Sequence, residues 1–280
     1  FNFPFSKTFI SMLGVIKGAA SRANKNLGLL DSKRSLAIFK ASKEVWSNKH
    51  DDQFPIDIFQ TGSGTSTNMN ANEVIANLAS KHSGLDINPN DHVNMCQSSN
   101  DVIPTAINMS CHCDLEKRLI PNLNALINHV KVKSKELKGI IKTGRTHLMD
   151  AMPIDFSQEL SGWEGQLEIS RDNLSLIGTE LCYLPQGGTA IGTGINAHHK
   201  FSKEFAKEVG KIGKVKTKPS QNFFQSLSAQ DLSVRLSGEL KNLAVILMKI
   251  SNDLRWMNSG PLSGLGEIEL QVLQPGSSIM

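Results

Sequence analysis

The chain has 280 residues, 39% of them hydrophobic and 20% charged, with a formal net charge of +4. These ordinary globular proportions allow one or two cores and exclude a disordered chain or a strongly basic nucleic-acid binder. The longest apolar run, residues 243–248, is far too short for a membrane-spanning helix.

Four cysteines (Cys96, Cys111, Cys113 and Cys182) do not make a disulfide framework in a chain of this length, which fits a reducing compartment. The opening Phe1-Asn2-Phe3-Pro4 has no initiator Met, basic n-region or apolar stretch with a cleavage site. The expectation is therefore a chain without a signal peptide and cut at both ends.

In chain order, periodicity predicts helices over residues 11–27 and 35–45, followed by a polar stretch rich in Ser, Thr, Asn and Gly that carries a further helical pattern at 72–79. Longer helices follow over residues 104–137, bent at Pro121, and 157–184. Leu236, Leu240, Leu243, Leu247, Ile250 and Leu254 recur at spacings of 4 and 3, a heptad seam that implies helices packed at about 20°. Strand alternation is nearly absent. The sequence thus predicts an all-α fold: a smaller, mainly helical N-terminal domain over 1–97, and a long-helix bundle over 98–280 that lacks partner helices of its own.

Three segments break the helical pattern. Gln60-Thr61-Gly62-Ser63-Gly64-Thr65-Ser66-Thr67-Asn68 and Gln97-Ser98-Ser99-Asn100-Asp101 both lead into helices. They put hydroxyls, amides and free N–H groups where the helix dipole favours an anion. Capping accounts for one Ser or Asn at each site, but not for the five hydroxyls and an amide between Thr61 and Asn68. The third is a Gly-containing loop, Lys142-Thr143-Gly144-Arg145-Thr146-His147, whose histidine is suited to proton transfer and, equally, to plain solvation.

Gly192-Thr193-Gly194-Ile195-Asn196-Ala197 matches G-x-G-x-x-A without a βαβ context, so its glycines are read as serving a turn or a close backbone approach. Cys111-His112-Cys113 sits in a helical run where residues two apart diverge, so no metal is expected there. The densest lysines, Lys211, Lys214, Lys216 and Lys218, read as a solvated loop.

Together, "QTGSGTSTNMNANEVIAN", "NPNDHVNMCQSSNDVIPTAI", "KTGRTHLMDAMPIDFSQELSGW", "GGTAIGTGIN" and "PGSSIM" resemble the class II fumarase branch of the fumarase/aspartase superfamily over the whole chain. The resemblance implies a three-domain, mostly helical subunit whose C-terminal domain is absent here. It also implies a homotetramer that completes the heptad seam, active sites shared between subunits, and no cofactor or iron–sulfur cluster. The substrate would be a small dicarboxylate, with neither nucleic acid nor membrane as partner.

Carried over by motif, Ser63, Gly64, Thr65, Ser98, Ser99, Asn100 and Thr146 would bind substrate carboxylates. His147 would exchange a proton through a bound water, Ser277 would be the base at carbon 3, and Ser278 would be its substrate-binding neighbour. A secondary anion site would be Asn88-Pro89-Asn90-Asp91, where fumarases usually carry His first and aspartases Asn. The His147 and Thr61-Gly62-Ser63 forms are those of fumarases. The implied activity is reversible hydration of fumarate to (S)-malate in the tricarboxylic acid cycle. Its rivals are an aspartate ammonia-lyase and a non-catalytic truncated helical assembly unit. The motif phrasing looks bacterial, which implies the cytoplasm, or the mitochondrial matrix for a eukaryotic chain. Because the family motif continues beyond Met280 with a substrate-binding lysine, residues 1–280 alone are expected to show little or no activity.

Overall fold

The structure, a computed structural model, describes residues 3–60, 62–273 and 275–276, so Thr61, Ser277 and Ser278 lie outside the described residues. The helices are α1 (Lys7–Asn26), α2 (Ser32–Trp46), α3 (Thr65–Ser83), α4 (Ser99–Asp114), α5 (Ile120–Glu136), α6 (Phe156–Glu180), α7 (Phe201–Gly213), α8 (Phe223–Ser228) and α9 (Asp231–Met257). No helix among the described residues is long and apolar enough to cross a membrane.

The chain forms two compact units, Phe1–Arg118 with Ser175–Arg235, and Leu119–Leu174 with Leu236–Met280. This is a different partition from a domain division at residue 97, because α4 groups with the residues before it.

In the first unit, Ser6 starts α1 by accepting from Phe9 N, and Asp31 starts α2 by accepting from the N–H groups of Lys33 and Arg34. Gly14 and Gly18, one turn apart, let α2 lie close against α1. A Cβ on Gly14 would stand 2.7 Å from Trp46 N, and one on Gly18 would stand 2.8 Å from the Trp46 ring. Leu13 and Ile16 on α1, Ile38 on α2, Ile75 on α3, Val102 on α4, and Phe201 and Phe205 on α7 are fully buried in one core.

α4 begins at Ser99, five residues earlier than periodicity predicts. Ser98 and Asp101 form a capping box there, and Pro104 is accommodated inside the helix. The predicted bend near Pro121 is a π turn, Leu115–Leu119, directly before α5. Proline offers no N–H to the preceding turn, and a widened turn takes up that gap.

The second unit has a core of Phe156, Leu160 and Trp163 on α6 and Met257 on α9, with Ile250 and Leu254 packed against it. Trp163 Nε1 donates to Asp253 at 3.1 Å and Ser170 Oγ to Glu239 at 2.7 Å, so the two helices run antiparallel. Only part of the predicted seam faces inward. Leu236 and Leu243 are buried, whereas Leu240 and Leu247 are 40% and 37% exposed.

Strands occur where none was expected. The segment read as a polar loop is the first arm of an antiparallel hairpin, β1 (Ile141–Thr146) with β2 (Met149–Asp155). Its glycine, proline and charges hide the alternation that identifies a strand. The parallel pair β3 (Tyr183–Leu184) and β4 (Lys218–Pro219) is two residues long, too short to leave a sequence pattern.

Candidate functional site

In the first unit, two helix N-termini are built side by side. Gly64 caps α3 at φ 71°, in the left-handed region that a side chain disfavours. A Cβ there would stand 2.5 Å from Ile103 of α4, so only glycine lets the helix start this close to its neighbour. On either side of Gly64, the exposed hydroxyls of Ser63 and Thr65 lie 3.1 Å apart.

At the second terminus, Ser98 Oγ accepts from Asn100 N at 3.2 Å, while Ser98 N donates to Asp101 Oδ1 at 2.9 Å. The other Asp101 oxygen accepts from Gly187 N and Thr189 N, both at 2.9 Å. Asn100 Nδ2 donates to Ala190 O at 2.8 Å. One carboxylate therefore fixes both the start of α4 and the glycine-rich segment after α6. Burial pushes Asp101 up to about 6, against the pull of the three N–H groups and of Lys17.

A bond from Asn68 Nδ2 to Ser99 Oγ, 3.0 Å long, joins the two termini. Behind it, Lys17 of α1 is fully buried and donates to Asn68 Oδ1 at 2.7 Å, Asn94 Oδ1 at 2.9 Å and Gln97 Oε1 at 3.0 Å. Burial pulls this ammonium down to about 7, and the charge of Asp101 partly restores it. Sequence reading missed Lys17 and Asp101 as organising groups. The available signal for Lys17 was a lone lysine within the apolar run Val15-Ile16-Lys17-Gly18-Ala19.

The second unit holds Thr146 and His147. Thr146 closes the ladder against Met149, leaving His147 (φ 54°) and Leu148 (φ 62°) as a two-residue turn of type I′ geometry. Thr146 and His147 are exposed. Lys142 and Arg145, three apart on β1, would point to opposite faces of a regular strand. The register shift between Thr143 and Arg145 breaks that alternation, and both side chains reach Glu267, at 2.7 Å and 2.5 Å. Burial pushes the Glu267 carboxyl up, but hydrogen bonds from Lys142 and Arg145 override it and hold the group below the usual range. Lys142 also pairs with Glu159.

Asn88, Pro89, Asn90 and Asp91 form one end of the first unit's π turn Pro89–Val93. Asn88 Oδ1 caps it by accepting from Asn90 N at 2.8 Å and Asp91 N at 3.0 Å. The fold thus brings Ser63, Gly64, Thr65, Ser98, Ser99 and Asn100 together around adjoining helix starts. Thr146 and His147 belong to the other unit, and Ser277 and Ser278 lie outside the described residues. Among the described residues, no three His, Cys, Asp or Glu side chains gather as a metal site. His112 instead places Nδ1 2.9 Å from Gly178 O.

A family model described as "Lyase" matches residues 1–280. A fumarate hydratase class II of Pseudomonas aeruginosa is 49% identical over 284 residues, covering all of this chain and 62% of that protein. One of Xylella fastidiosa is 50% identical, covering all of this chain and 60% of its own length. The crystal structure of a class II fumarase from Schistosoma mansoni superposes with a TM-score of 0.96 at 40% identity, covering 99% of this chain and 62% of that one. The chain thus spans 60–62% of the length of these curated relatives.

Proposed function

The chain belongs to the lyase family, and from that premise we propose that the complete protein reversibly hydrates fumarate to (S)-malate. The observation that carries the reading is the pair of joined helix N-termini, where Ser63, Thr65, Ser99 and Asn100 offer neutral donors beside two positive dipole ends. Similarity to proteins named class II fumarate hydratases supports the choice of substrate.

Removing a proton beside a carboxylate creates an aci-carboxylate with two negative charges, so fixed donors aimed at that group lower the barrier most. In this reading Ser277 takes the carbon-3 proton and Ser278 binds alongside it. His147 exchanges a proton with the hydroxyl that leaves or adds, acting through water. Thr146 and Ser98 complete the carboxylate grip in active sites shared between subunits, and residues 88–91 form a peripheral anion site. The reaction is acid–base chemistry without a cofactor.

The partners would be three further copies of the same chain. Leu240, Leu247 and Met248, exposed on α9, supply the apolar surface such an assembly buries. A cytoplasmic location goes with this reading. The test is to incubate the complete reading frame with fumarate, with and without ammonium. Malate is expected in both, whereas aspartate as the main product with little malate would establish the ammonia-lyase instead. No turnover at all would favour a non-catalytic assembly unit, and residues 1–280 alone are expected to be nearly inactive.

A further inference from the structure

We propose that Lys17 is a positioning residue that fixes the Ser99 hydroxyl as a hydrogen-bond donor to a substrate carboxylate. The inference rests on the dicarboxylate reading and adds to it a group that never touches substrate.

An ammonium has three N–H donors and no acceptor. Each of the three amides around Lys17 must therefore turn its oxygen inward, and each does, at 2.7–3.0 Å. That choice dictates where the NH₂ groups go. The Gln97 NH₂ goes to the carbonyls of Val93 and Met95, and that of Asn94 to Gln97 O, which fixes the approach to the Ser98 cap. The NH₂ of Asn68 faces Ser99 Oγ at 3.0 Å.

Ser99 accepts this bond, so its own proton must point elsewhere. Among the described residues it meets no acceptor, although the side chain is half-exposed at the first position of α4. Hydroxyls turn freely between donating and accepting, and a buried cation two bonds away removes that choice. Without Lys17, the Asn68 amide is free to turn over and take the Ser99 proton itself, leaving an anion to face lone pairs.

The test uses the complete protein at a pH below 7, where Lys17 is an ammonium, with succinate as a saturated, unreactive dicarboxylate and fumarate for turnover. Lys17→Met and Ser99→Ala are made singly and together. Each single change is expected to weaken succinate binding about tenfold, corresponding to about 1.4 kcal/mol. The double variant should bind no more weakly than Ser99→Ala alone. Losses that multiply would overturn the proposal, because Lys17 would then act independently of Ser99.

Asn68→Asp provides a second route if Lys17→Met does not fold. It keeps an acceptor for Lys17, whose charge offsets the new carboxylate, but withdraws the donor from Ser99. It should weaken succinate binding in the Ser99 protein and add nothing in the Ser99→Ala background. Unchanged succinate binding in the Ser99 protein, or an equal loss in both backgrounds, would overturn the relay. The wild-type arm separates the two ideas. If it makes aspartate rather than malate, the hydratase reading fails while the carboxylate relay is still read out. If wild-type protein binds no dicarboxylate, both fail.

Discussion

The Asp101 carboxylate on α4 accepts the backbone N–H of Thr189 at 2.9 Å, across 88 residues of sequence. With Gly187 N and Ser98 N also on this group, Asp101→Ala would strand three backbone donors and remove the counter-charge that helps keep Lys17 protonated. The expected cost is about 3 kcal/mol or more, read as a fall in Tm of the complete protein. A loss of under about 1 kcal/mol would mean that those N–H groups find other partners.

Lys17 makes stability depend on pH in a defined direction. Its pKa is lowered from 10.5 to about 7 in the fold. Between those values the unfolded chain binds more protons than the native one, so stability rises with pH, by at most about 1.4 kcal/mol per pH unit. The wild-type Tm is therefore expected to gain on that of Lys17→Met between pH 7 and 9. Parallel curves would show an ammonium that stays charged throughout.

Gly64→Ala meets two obstacles, a left-handed φ of 71° and Ile103 Cγ1 at 2.5 Å. The expected cost is about 2–5 kcal/mol, from about 1–2 for the backbone and 1–3 for overpacking. Adding Ile103→Ala creates space for the new Cβ without changing φ, so thermal melts of the pair should show partial recovery. Complete recovery would assign the whole cost to the clash.

His147→Asn tests the proposed proton transfer without disturbing the hairpin. Asn tolerates a positive φ better than most residues, and the His147 side chain is exposed. The expected outcome is a kcat for fumarate lowered about 10²–10⁴-fold with Tm unchanged. A kcat within a few-fold of wild type would remove His147 from the chemistry.

The outward half of the α9 seam carries the proposed assembly. Leu240→Glu combined with Leu247→Glu should shift the complete protein toward smaller species in sedimentation, since each new charge would sit in a dry interface. An unchanged mass would place the contact elsewhere.

The long helices were legible because a heptad or 3.6-residue pattern survives in the sequence wherever one face is buried. Leu236 and Leu243 follow that rule. The hairpin was not legible. Gly144 and Pro153 interrupt its alternation, and the register shift between Thr143 and Arg145 lets charged side chains gather where a regular strand would separate them. At the candidate site, the surface-facing Ser63, Thr65, Ser99 and Asn100 could be found from their crowding before helices. Lys17 and Asp101 could not, because their significance lies in three-dimensional neighbours contributed by distant segments.

The groups that Ser63, Thr65, Ser99 and Asn100 present at these helix starts are all formally uncharged, and Arg145 beside Thr146 is already engaged by Glu267. Fixed dipoles act on an anion at contact, well inside the screening length of about 8 Å at physiological ionic strength. In the proposed reading, added salt should therefore leave the hold of these groups on a seated dicarboxylate nearly unchanged.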